Sequence, residues 1–147
     1  MVIYLLLQPK IAQDHTLGKG WGENINTLIK QTRRMDYYFV TRLQDLMETE
    51  QVFLNPRITL TDLALQVGTN RTYLSKYINE KLGQTFFDYV NSKRLAHATH
   101  LLETTNLTLE VVAERAGFNS LSTFRRCFMR QYKCSPTIYR RDYMRGG

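Results

Sequence analysis

Arg71, Thr72, Ser75, Lys76 and Asn79 recur at short steps along one stretch of this chain, and Leu121, Ser122, Arg125, Arg126 and Met129 form a second such set 50 residues on. On a helix, steps of three and four put each set on one face. Arginine and lysine donate to guanine edges or phosphate oxygens, and hydroxyls and amides bond to base edges, so the chemistry on offer is the reading of nucleic acid. Other reactive combinations are poorer. His97, His100 and Glu103 could share a metal, but zinc takes three or four ligands and no cysteine or second histidine pair completes the set. Cys127 lies beside Arg126, which could activate a thiol. A structural thiol is the preferred reading. An alkyl-transfer enzyme with a DNA-binding accessory would need a further zinc-cysteine cluster, and the chain has two cysteines in all. No enzyme activity, catalytic residue, metal or cofactor is therefore expected.

Charge agrees with a polyanionic partner. The 147 residues carry a formal charge of +7, and the sequence pI is about 9.6. From Phe118 onward there are seven basic residues against a single acid, Asp142. Nucleic acid is the simplest partner, with an anionic membrane surface or an acidic protein as alternatives. Cys127 and Cys134 are expected as free thiols in a reducing cytoplasm. The apolar run Val2 to Leu7 is far short of the ~20 residues that span a bilayer.

Positioning these sets requires helices, and the sequence supplies them twice. Shifted by 49 residues, Thr59-Leu60 falls on Thr108-Leu109, Ala64 on Ala113 and Gly68 on Gly117. Beyond the glycine the shift becomes 50, so that Leu74 meets Phe124, Lys76 meets Arg126, Ile78 meets Phe128, Leu82 meets Tyr132 and Tyr89 meets Tyr139. One extra residue in the second turn accounts for the change. In each copy a threonine N-cap opens a helix, Thr59 with Asp62 in a capping box. A small alanine lets two helices cross, and a glycine in left-handed conformation ends the first one. Asn70 and Ser120 then cap second helices whose apolar residues Leu74, Ile78 and Leu82, or Phe124, Phe128 and Tyr132, face inward. Helix, tight turn and helix form the unit that places its second helix in a major groove.

Between the copies, residues 85–104 read as one long helix opened by Thr85 and Asp88. Its ~20 residues span roughly 30 Å, close to the ~34 Å between successive major-groove faces on one side of B-DNA. Upstream, Asp36 to Glu50 reads as an amphipathic helix ended by Asn55-Pro56, and Gln8 to Asn24, with Pro9 and three glycines, reads as a loop. The fold class is all-α, with about seven helices. Residues 1–35 are a leader, 36–84 the first helix-turn-helix subdomain, 85–104 the linker helix and 105–147 the second subdomain.

Ala113-x3-Gly117-Phe118-x-Ser120-x3-Phe124-x-Arg126-x-Phe128, followed by Ser135-Pro136-x2-Tyr139-Arg140, is close to the signature of the AraC/XylS family of bacterial transcription regulators, whose DNA-binding domain the chain resembles from about Thr59 to Arg140. The resemblance implies two subdomains joined by a long helix, bound to adjacent major grooves of a promoter or operator as activator or repressor. It implies base contacts from Thr72, Ser75 and Lys76, and from Ser122, Arg125 and Arg126. Phosphate contacts are expected from Arg71, Asn119, Ser120, Arg130 and Lys133. Lys133 departs from the glycine usual there, and Met129 from a common lysine, which removes one expected phosphate contact. RNA polymerase is an expected partner. The ~55 residues before Arg57 are too few for a typical sensor domain, so the chain either works without one or is the output end of a larger sensor-regulator, cytoplasmic or on the cytosolic side of a membrane anchor. No small-molecule site is evident.

Overall fold

The computed structural model describes residues 19–146, and among them the only regular secondary structure is helical. Helix α1 runs Lys19–Glu48, a 3-10 turn Val52–Leu54 follows, and then come α2 (Leu60–Val67), α3 (Arg71–Lys81), α4 (Phe86–Thr104), α5 (Leu109–Arg115), α6 (Leu121–Tyr132) and α7 (Pro136–Gly146). These are the seven expected helices. Two compact units divide the chain between Arg42 and Leu43. In the described part of the first, residues 19–42, the chain is continuous helix. The expected loop to Asn24 is thus corrected for Lys19 to Asn24: Gly20 and Gly22 each cost about 1 kcal/mol against alanine, but no proline interrupts the segment. The run Val2 to Leu7 lies outside the described residues.

The second unit holds both repeats. Thr59 accepts the Asp62 amide and returns its own amide to that carboxylate, a complete capping box. Thr108 caps α5 by accepting from Val111, while Asn70 and Ser120 cap α3 and α6 through the amides of Tyr73 and Thr123. Gly68 and Gly117 both have positive φ, 86° and 85°. From the glycine to the N-cap the second turn is one residue longer, Gly117 to Ser120 against Gly68 to Asn70, as the register change requires. Leu82 departs from the expected inward face: α3 ends at Lys81, which leaves Leu82 at the cap and exposed.

Helix α4 is the axis on which this unit is built. It packs against the 3-10 turn and α3 on one side of the repeat and against α5, α6 and α7 on the other. Leu95, Ala98 and Leu102 of α4 join Val112, Ala113, Ala116, Phe118, Phe124, Cys127 and Phe128 in one core. Phe128, Tyr132 and Tyr139 stack with centroids 4.5–5.5 Å apart, and the Tyr139 hydroxyl donates to Glu103 at 2.7 Å. That bond, with burial, pushes the Tyr139 phenol up to about 12.

Lys133 ends α6 in the left-handed region, at φ 59° and ψ 14°. A lysine there is strained by about 1 kcal/mol relative to glycine. Lys133→Gly is therefore expected to leave the melting temperature unchanged or raise it by a few degrees, as scanning calorimetry would show; a clear fall would contradict the strain.

Candidate nucleic-acid interface

In each repeat the second helix buries one face and leaves the other open. Leu74 and Ile78 are buried on α3, and Phe124, Cys127 and Phe128 on α6. On α3 the opposite face carries Arg71, Thr72, Lys76 and Asn79, all exposed, with Ser75 half-buried. With Ser75 and Glu80 these residues line one shallow concavity. On α6 Ser122, Arg125 and Arg126 are exposed together with Met129. All six expected base-reading side chains therefore lie on the open faces of the two recognition helices.

Local bonds tune several of them. Lys76 pairs with Glu80 across one helical turn at 3.9 Å. Such an exposed pair contributes at most about 0.5 kcal/mol and yields readily to a phosphate or base. Asn79 donates to the Ser75 hydroxyl at 3.4 Å. Ser120 is occupied as a cap and also donates to Thr123 at 3.0 Å, which leaves Asn119 exposed beside it at the open end of α6. Arg71 is exposed in the first turn of α3.

Arg130 is the exception among the expected phosphate contacts. Its guanidinium donates to Asp88, at the start of α4, at 2.6 Å and lies 6.0 Å from the Phe87 ring. Asp88 in turn accepts from the Thr85 hydroxyl at 2.8 Å, and that bond chiefly, with Arg130 adding to it, holds its carboxyl below the usual range. A phosphate must compete with this pair for Arg130. Lys133 is exposed at the end of the helix.

The residue that sequence reasoning passed over is Arg94, only 8% exposed. Its Nε donates to the Phe53 carbonyl at 2.7 Å, Nη2 to the Asn55 carbonyl at 2.9 Å and Nη1 to Asn91 Oδ1 at 3.3 Å. Its guanidinium also lies 5.9 Å from the Phe118 ring. It thus joins the segment before the first repeat to the turn of the second. A signal existed: Arg94 falls on the stripe Val90, Asn91, Leu95, Ala98 and Leu102, where a cation is out of place unless satisfied.

His97 rests edge-on to Phe53, and burial, then His100, lowers its pKa and favours the neutral ring. Glu103 is taken by Tyr139. Among the described residues no group of His, Cys, Asp and Glu is arranged to hold a metal. Burial pushes the Cys127 thiol up, outweighing Arg130 and Arg126, so it is not an activated nucleophile. Both cysteines are free. No helix among the described residues is long and apolar enough to cross a membrane.

Two helix-turn-helix units on one shared helix, each exposing a polar and cationic recognition face, define a bipartite DNA-binding module. A helix-turn-helix domain family model matches residues 63–142. The transcriptional activator NphR of Rhodococcus is 34% identical over 108 residues, covering 74% of this chain and 31% of that protein. The C-terminal domain of AraT, a response regulator from Geobacillus stearothermophilus, superposes with a TM-score of 0.64 at 29% identity, over 71% of this chain and 84% of that one. The DNA-binding domain of AdpA, solved with a target DNA, gives 0.58 at 26%, over 74% and 91%. The chain belongs to the AraC-type helix-turn-helix family of transcription regulators, a family of sequence-specific DNA-binding proteins and not of enzymes. It spans about a third of the length of the activator it resembles.

Proposed function

We propose that this chain lays α3 and α6 into adjacent major grooves of double-stranded promoter DNA and so regulates transcription, as activator or repressor, with residues 36–147 as the DNA-binding part. The observation that carries this reading is the paired placement of Thr72, Ser75 and Lys76 on the open face of α3 and of Ser122, Arg125 and Arg126 on that of α6, from helices whose other faces are buried on a common support. These six make the base contacts, and Arg71, Asn119, Ser120 and Lys133 hold phosphates, with Arg130 doing so when it leaves Asp88. RNA polymerase as a partner, a sensor domain acting through this output module and a cytoplasmic site of action complete the proposal.

Selection of bound duplexes from a random pool tests it. Recovery of one motif with two elements about a helical turn apart is the expected result; binding with no sequence preference would favour docking to an acidic surface instead. On the selected site, Arg126→Ala is expected to weaken binding by about 1–3 kcal/mol and to relax the preference at one base pair, with circular dichroism unchanged. Undiminished affinity and selectivity would remove α6 from the groove.

A further inference from the structure

Exposed apolar side chains scattered over a surface need no explanation. Met129 differs in its register. Ser122, Arg125, Arg126 and Met129 follow one another at steps of three, one and three on α6, so all four share the face that the fold leaves open, opposite buried Phe124, Cys127 and Phe128. Met129 is 47% exposed there, and its thioether offers almost no hydrogen bonding.

A base edge in the major groove presents hydrogen-bond donors and acceptors, with one apolar feature, the 5-methyl group of thymine. Methionine is unbranched and polarizable, and it adapts its shape to a small apolar knob. We infer that Met129 is a specificity-determining residue that packs on a thymine methyl within the site bound by α6. This rests on the placement of α6 in the groove. Met129 stands three residues beyond Arg126, ~4.5 Å along the helix axis. Base pairs are ~3.4 Å apart, so its thymine lies one or two steps from the pair met by Arg126.

The experiment replaces each thymine of the selected site in turn by deoxyuridine, which removes the methyl and nothing else, and measures binding of the full chain and of Met129→Ala. The parent is expected to lose about fourfold in affinity at one thymine one or two steps from the Arg126 base pair, the effect of burying one methyl. Met129→Ala should bind the unmodified site about as the parent binds that deoxyuridine site, and should be indifferent to that methyl. Because the side chain is exposed, circular dichroism and melting should match the parent. If Met129→Ala keeps the parent's sensitivity at that thymine, or if no thymine in that window responds while Arg126→Ala still relaxes base preference, the inference is overturned and the groove placement stands. If Arg126→Ala also binds unchanged, the placement of α6 falls and this inference with it.

Discussion

Gly117→Ala is expected to destabilise the fold by about 2–4 kcal/mol, whereas Gly68→Ala, at the equivalent turn of the first repeat, should cost only about 1. Both glycines sit at nearly the same positive φ, where an added Cβ costs about 1 kcal/mol. Their surroundings differ. A Cβ on Gly68 would meet nothing within 4 Å, while one on Gly117 would stand 2.7 Å from the Phe53 carbonyl oxygen and 2.8 Å from Leu54 Cα. Those are main-chain atoms and cannot swing aside, so the turn itself must shift, at a further cost of about 1–3 kcal/mol for an overpacked methyl. Urea unfolding of the two variants in parallel separates the contributions. Equal losses at both positions would show that the close approach of the second turn to the 3-10 segment carries no energy.

Arg94→Leu should cost about 1–3 kcal/mol by the same measurement. The substitution keeps an apolar stem over Phe118 but strips the buried Phe53 carbonyl of its Arg94 donor and leaves the Asn55 carbonyl, on an exposed residue, with the Ile58 amide. The Phe53 acceptor left buried and unbonded costs about 1–3 kcal/mol. Arg94→Lys retains the charge but replaces the planar fork by one ammonium, which cannot satisfy both carbonyls at once, so only a minority of the loss should return. A loss below 1 kcal/mol for Arg94→Leu would mean that water or a shifted turn satisfies the Phe53 carbonyl.

These two sites mark where the sequence was legible and where it was not. Thr59 with Asp62, the caps at Asn70, Thr108 and Ser120, and the glycines at 68 and 117 were readable because each expresses chemistry confined to three or four neighbouring residues. Repetition at matching register then raised common features to a specific pattern. Helical period gave two outward sets of five residues, and the family resemblance singled out from them the six expected to read bases. Arg94 bonds carbonyls about 40 residues away in the chain, and Arg130 finds Asp88 at a separation of 42. No local rule announces such partners, so Arg130 read as a cation awaiting a phosphate. The start of α1 was hidden for a different reason: the glycines at 20 and 22 weaken a helix without forbidding it, and composition there favoured a loop.

Helix α4 is a continuous 19 residues with both helix-turn-helix repeats packed on it. On the proposed placement of α3 and α6 in adjacent grooves, once α6 has found its element α3 would already be held close to the neighbouring one, so the second engagement would be a first-order event at high effective concentration with little entropy left to lose. Release then requires both faces to let go within the same short interval. Damage to one DNA element should accordingly appear mainly as a shorter residence time, with the rate of arrival almost unaltered.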